Sequence, residues 1–204
     1  MKRLTEVGLR TGADKAVDHL FTEVYDDIFS QYESPRILEI GVHHGASINM
    51  YLEYFKNPYV VGMDIEQKIE LDPRWKFVLG DQTNPTDLDK CVEEQPFDII
   101  LDDGGHTMRQ QQITLGHLFK HVKSGGYYIL EDLHTSAYPE YIEAGTEYTT
   151  YEMIKQLQAG NTYFSNYIPR DVQLDIANRI DNIILWHRIP DVASQSVTSI
   201  IKVK

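Results

Sequence analysis

A doubly wound α/β sheet, mostly parallel and closed by an antiparallel C-terminal hairpin, is the fold class that this 204-residue sequence predicts. Three observations carry the prediction. Short β-branched or aliphatic runs end in an acidic residue or a glycine and alternate with amphipathic segments long enough for helices. The run Phe97-Asp98-Ile99-Ile100-Leu101 is nearly continuous in apolar character, as in a strand covered on both faces. Near the C-terminus two strand-like runs are joined by a polar loop too short for a crossover helix, so they pair antiparallel.

Each element has its own signal. Residues 13–32 carry Val17, Leu20, Val24, Ile28 and Phe29 at helical spacing, which predicts a helix outside the first strand within an N-terminal cover over residues 1–35. Parallel strands are predicted at 36–42, 59–65, 76–81, 97–103 and 127–132. Between them lie helices at 46–55, 85–92 and 108–122, the last stopped by Lys123-Ser124-Gly125-Gly126. Residues 133–169 are irregular and rich in tyrosine, with Tyr138, Tyr141, Tyr148, Tyr151, Tyr163 and Tyr167. A long connection of this kind is read as an active-site loop or lid over 133–170, its tyrosines offering flat faces and hydroxyls to a ring-shaped substrate. The other reading is a helical excursion whose tyrosines cover the core. Strands at 182–188 and 197–203 complete a seven-stranded sheet. Right-handed crossovers gather the strand C-termini on one edge, where open α/β sheets bind ligands.

Bulk properties narrow the function. The length and 42% hydrophobic content suit a single domain over residues 1–204, burying roughly 70% of its unfolded surface. A formal net charge of −12 argues against unselective nucleic-acid or anionic-membrane partners and suits a small or cation-bearing ligand. The single cysteine, Cys91, excludes an internal disulfide framework. No basic-then-apolar leader and no long apolar run is seen, so a soluble, cytoplasmic protein is expected.

The chemistry-bearing residues fall at the predicted strand ends. Gly41 and Gly45 allow a tight strand-to-helix turn with free N–H groups at the helix start, framed by Glu39 before it. Their Gly-x-x-x-Gly spacing differs from the Gly-x-Gly-x-x-Gly of nicotinamide enzymes. Asp64, about 20 residues beyond the turn, is placed to accept from ribose hydroxyls, so a nucleoside-bearing ligand is expected. Gly80-Asp81-Gln82 ends the third strand at the same crevice; Asp81 suits an exocyclic amine or, alternatively, a helix N-cap. Asp103, Glu131 and Asp132 form a hard, oxygen-rich set that favours magnesium or manganese, although adjacent residues of a regular strand face opposite ways, so Glu131 and Asp132 converge only if the strand breaks there. His106 is the candidate general base, its unperturbed pKa suiting proton abstraction at neutral pH, with a metal ligand or a hydrogen-bonded loop residue as the alternatives. His43, His44, His117 and His121 lack such company and read as structural or surface residues, with His44 a candidate cofactor-loop contact, while His134 is a candidate substrate contact.

Together, Glu39-Ile-Gly41-x-x-x-Gly45, Asp64, Gly80-Asp81-Gln82 and the closing hairpin resemble the class I S-adenosylmethionine-dependent methyltransferases, whose sheet is Rossmann-like, over nearly the whole chain. More narrowly, Thr11-Gly12-Ala13-Asp14-Lys15 with His19, the Glu39 to Ser47 stretch, Asp102-Asp103-Gly-Gly-His106-Thr107, Gln110-Gln111-Gln112 and Glu131-Asp132-Leu-His134-Thr135-Ser136 resemble the metal-dependent sugar O-methyltransferases of macrolide biosynthesis, of the mycinamicin and demethylmacrocin type. The resemblance implies S-adenosylmethionine held by Glu39, Gly41, His44, Gly45, Ser47, Asp64, Asp81, Gln82 and Asp103. It implies Mg2+ or Mn2+ on Asp103, Glu131 and Asp132, His106 as base, and His134, Thr135 and Tyr138 toward the substrate. The acceptor would be a hydroxyl of a sugar or glycosylated small molecule, as in antibiotic biosynthesis. A catechol-like or other diol is an alternative acceptor, a homo-oligomer is left open, and a non-catalytic S-adenosylmethionine-binding partner subunit is the alternative of another class. Two departures stand out: the usual Thr-Asp-Lys is spread over Thr11 to Lys15, and Gly105 stands where a serine is common.

Overall fold

The computed structural model describes residues 1–68, 70, 72–93, 96–188 and 196–204. In chain order these are α1 (Arg3–Thr11), α2 (Asp14–Val17), α3 (Thr22–Phe29), β1 (Arg36–Ile40), α4 (Ala46–Tyr54), β2 (Tyr59–Asp64), β3 (Trp75–Leu79), α5 (Pro85–Cys91), β4 (Phe97–Asp102), α6 (Met108–Leu118), β5 (Val122–Leu130), α7 (Thr150–Gln158), α8 (Arg170–Arg179), β6 (Ile180–Arg188) and β7 (Ser196–Val203). The strands form one sheet in the order β3-β2-β1-β4-β5-β7-β6. The first five are parallel, and β7 runs antiparallel to both β5 and β6. The sequence-predicted class is therefore the observed one; the loop joining β6 to β7 lies outside the described residues.

Alternation along the strands divides the core into two layers. Ile37, Ile99, Leu101 and Ile129 pack with Leu4, Phe21, Tyr25, Phe29 and Tyr51 under α1, α3 and α4. Leu38, Ile100, Tyr128 and Leu130 pack on the other face with Leu88, Leu115, Met153 and Ile176 from α5 to α8. Among the described residues, no helix is long and apolar enough to cross a membrane.

Three local expectations need correction. The helix expected over 13–32 is broken between α2 and α3, and α1 precedes it. Leu20 sits at φ 58° in the break, and Val17 is 49% exposed, so the run of apolar residues does not make one continuous buried stripe. Lys123 to Gly126 does not stop α6, which ends at Leu118 and passes through a 3-10 turn at Phe119–His121. Those residues form a bulge in β5, where two steps along β4 (Phe97 to Ile99) match five along β5 (Val122 to Tyr127), with Gly125 at φ 79°. Within 133–170, Met153, Ile154, Leu157, Tyr163 and Ile168 are buried in the α5–α8 core, whereas Tyr138 is exposed.

Candidate active site

At the strand ends, ladder-type bonding runs one residue past the regular strands. Gly41 N–H donates to Met63, Asp103 N–H to Ile40 and Glu131 N–H to Asp102, all through backbone carbonyls at 2.8–3.0 Å. This aligns Gly41, Asp103 and Glu131 along one edge. Gly41 is obligatory there: it holds φ 87°, and a Cβ would come within 2.0 Å of the Asp103 carbonyl oxygen. The chain then turns sharply after β5 because Asp132 adopts a left-handed conformation at φ 54°, uncommon for a residue other than glycine.

One cleft of about 590 Å³ opens along this edge. Gly41, His43, His44, Asp64, Asp81 and Gln82 line it together with Asp103, Gly104, Gly105, His106, Gln110 and Asp132. The glycine turn and the histidine–carboxylate group therefore share a cavity. Asp64 Oδ2 accepts from the Val42 and His43 N–H groups at 3.0 and 2.7 Å, and its Oδ1 accepts from Glu66 N–H at 2.9 Å. A carboxylate offers about four acceptor positions, so Asp64 braces the turn and keeps roughly one position for a ligand hydroxyl. Asp81 Oδ1 accepts from Thr83 in a side-chain turn, and Asn84 is the residue that caps α5. Gln82 donates to Thr114 and Asp102 and accepts from Gly105 N–H, fixing the turn before His106. Gly105 leaves room for the Gln110 amide, which bonds Thr107 N–H in the capping box of α6; this is what the missing serine side chain admits.

His106 Nε2 lies 3.4 Å from Asp132 Oδ2, and His134 Nδ1 lies 3.6 Å from Asp132 Oδ1. Burial holds the His134 pKa below its ordinary value against the pull of Asp132, with His19 and His106 adding to the decrease. Ligand atoms of Asp103, His106 and Asp132 lie within 4.8 Å of one another, and buried Asp132 Oδ1 has no hydrogen-bond partner among the described residues. An orphaned carboxylate oxygen in a hard donor set fits a divalent cation.

Glu131 faces elsewhere. Its Oε2 is 3.3 Å from the buried Lys15 ammonium, and its Oε1 accepts from Tyr25 OH at 2.8 Å. Glu39 belongs to the same interior group, accepting from Ser47 at 2.7 Å and Tyr51 at 3.1 Å and pairing with Lys15 at 3.4 Å. Asp103 bridges the two groups, since Lys15 also bonds its Oδ2. Burial raises the pKa values of Asp103, Glu131 and Glu39, the last to about 7, with Lys15 opposing each shift. Burial works against the Lys15 charge, yet Asp103, Glu131 and Glu39 together hold it well above the ordinary lysine value.

Of the residues expected to face ligands, Glu39 and Ser47 therefore lie behind the cleft, where they anchor the glycine turn to α4. Gly45 lines an adjoining depression with His43 and His44. Thr135 is 3% exposed, and its hydroxyl bonds the His106 and Asp132 carbonyls, each at 2.9 Å. Tyr138 stands edge-on to His134 with ring centres 6.2 Å apart. Neither Thr135, His134, Tyr138 nor any other tyrosine of 133–170 lines the cleft. His43, which the sequence reads as a structural or surface residue, does line it, as do Asp14 and Gln110 of the quoted motifs and Met63 and Lys68, to which the sequence assigns no role. His43 sits at φ 46° in the glycine turn, a position that its neighbours Gly41 and Gly45 signal. Lys15 was signalled by its place in the Thr11 to Lys15 motif.

No family model matches the chain. The demethylmacrocin O-methyltransferase of Streptomyces fradiae is 38% identical over 132 residues, which make up 59% of this chain and 33% of that protein. The L-olivosyl-oleandolide 3-O-methyltransferase of Streptomyces antibioticus is 33% identical over 173 residues, 76% of this chain and 44% of that protein. The chain thus spans less than half the length of the curated relatives it matches. Among solved structures, MycE methyltransferase from the mycinamycin biosynthetic pathway, in complex with Mg, SAH and mycinamycin VI, superposes with a TM-score of 0.80 at 27% identity, covering 100% of this chain and 56% of that one.

Proposed function

We infer that this relative of the macrolide and polyketide sugar O-methyltransferases, a class I S-adenosylmethionine-dependent methyltransferase by fold, methylates a hydroxyl of a sugar or glycosylated small molecule. The observation that carries the reading is that one cleft is lined both by the glycine turn and by His106 with Asp103 and Asp132. That arrangement brings a methyl donor and an acceptor hydroxyl into one cavity, and holding two reactants in line removes much of the entropic cost of their encounter.

The parts divide naturally. The turn at Gly41 to His44 and the remaining acceptor position of Asp64 hold the nucleoside of the cofactor. Asp103 and Asp132 would hold the divalent cation, while Glu131 pairs with Lys15 in the interior. When bound, S-adenosylmethionine supplies an electrophilic methyl group, and Mg2+ or Mn2+ lowers the pKa of a hydroxyl that it contacts. His106 takes the hydroxyl proton, and Asp132, whose Oδ2 lies 3.4 Å from Nε2, stabilises the imidazolium that forms. Thr135 keeps the two backbones that carry these groups in register.

Incubation with radiolabelled S-adenosylmethionine and Mg2+ against panels of glycosides and catechols tests this. Methyl transfer to glycoside hydroxyls is expected. Transfer confined to catechols would replace the acceptor class, and calorimetry showing no affinity for S-adenosylhomocysteine would sink the reading altogether.

A further inference from the structure

Lys15 is the one cation enclosed by the interior carboxylates among the described residues, and nothing in the proposed chemistry uses it. It is 1% exposed, and its ammonium bonds Asp103 Oδ2 while lying 3.3 Å from Glu131 Oε2 and 3.4 Å from Glu39 Oε1. These carboxylates come from β1 and from the residues just past β4 and β5, so one side chain ties three neighbouring strand ends together. The short helix α2 delivers it there, with Asp14 N-terminal to it and 3.9 Å from the ammonium.

Asp103 makes the arrangement consequential. It is bonded to Lys15 on one side and belongs on the other to the Asp103–His106–Asp132 cluster. A fixed ammonium on a carboxylate competes with a second cation for the same lone pairs and repels it. We propose that Lys15 is the internal counter-cation of the site, a positioning residue that holds Asp103 and Glu131 against Glu39 and sets how tightly Asp103 and Asp132 bind a divalent cation. The inference rests on the reading of the cleft as a divalent-cation site. Lysine suits the task as a compact point charge with three donors, matched by three acceptor carboxylates.

The test is a Mn2+ titration of the whole chain without cofactor, following the loss of the free-ion signal by electron paramagnetic resonance. Lys15→Met is expected to bind Mn2+ at least about tenfold more tightly than the unsubstituted protein, because a nearby repelling charge is gone. Its melting temperature should also rise more on Mn2+ addition. Glu39→Gln leaves the ammonium to Asp103 and Glu131 alone and should weaken Mn2+ binding several-fold. Equal or weaker binding by folded Lys15→Met overturns the proposal. If Lys15→Met fails to fold even with Mn2+, the Glu39→Gln titration decides, and unchanged affinity there overturns it. An unsubstituted protein that takes up no Mn2+ would instead remove the divalent-cation reading beneath it.

Discussion

Two carboxylate groups meet at Asp103, and they show how the same residue types diverge with their surroundings. The interior group of Glu39, Glu131 and Asp103 gathers on Lys15 with Tyr25, Ser47 and Tyr51, all of these hydroxyls spent on the carboxylates. The cleft group of Asp103, Asp132 and His106 has looser contacts, a carboxylate oxygen with no hydrogen-bond partner among the described residues and a left-handed backbone at Asp132. A satisfied buried network rigidifies a fold, whereas unspent donors and strained backbone mark the place where a ligand is received. Adjacent residues Glu131 and Asp132 fall on opposite sides of this boundary.

The sharpest way to separate the groups is to remove the cleft base. His106→Ala is expected to lower turnover by about 10²–10⁴-fold, with S-adenosylhomocysteine affinity by calorimetry unchanged. Comparable loss of cofactor affinity would mean that the two parts of the cleft are not separable. A second measurement addresses the interior group. Glu39 rises from 4.5 to about 7 on folding, so the folded state keeps its proton longer and the stability this contributes is full below pH 4.5 and is lost as pH rises through about 7. Asp103 and Glu131 shift in the same direction. Urea unfolding in chelator should therefore show stability falling from pH 5 to pH 8, by on the order of 3 kcal/mol from Glu39. A flat profile would break the link between the burial of Glu39 and its raised pKa.

A smaller effect is expected at the seam. Thr135→Val removes the bridge between the His106 and Asp132 carbonyls and should lower turnover by about tenfold, the size of one lost hydrogen bond, while the KM for cofactor holds; Thr135→Ser should restore it. If serine fails to rescue, the methyl packing of Thr135 matters more than its hydroxyl. The smallest change is expected from Tyr25→Phe, which takes one donor from Glu131 and should cost about 1 kcal/mol in denaturant titrations with turnover nearly unaffected.

Much of this was readable from the sequence because strands alternate. Glu39, Asp103 and Glu131 share the parity of Ile37, Leu101 and Ile129, whose side chains face α1, α3 and α4, so their common direction follows from a period of two. The condition that Glu131 and Asp132 converge only through a broken strand is answered by the turn at Asp132, which sends one inward and the other into the cleft. The family resemblance implies Thr135 as a substrate contact. Its hydroxyl is instead consumed by two carbonyls, one of them from the loop after β4, a partner that local sequence does not reveal. The Lys123 to Gly126 bulge escaped for a related reason, since Gly-Gly ends helices and permits bulges equally well and the pairing with β4 decides between them.

Taken alone, the sequence determined the layered α/β sheet, the antiparallel closing pair, the strand ends as the ligand edge and the residue types gathered there, because hydrophobic period and glycine placement are local properties. Tertiary structure alone decided which carboxylates spend their charge on Lys15 and which face the cleft. That choice depends on where a lysine from a short N-terminal helix lands relative to three strand ends, at separations of up to 116 residues along the chain from Lys15 to Glu131, and buried electrostatics follow distance in space.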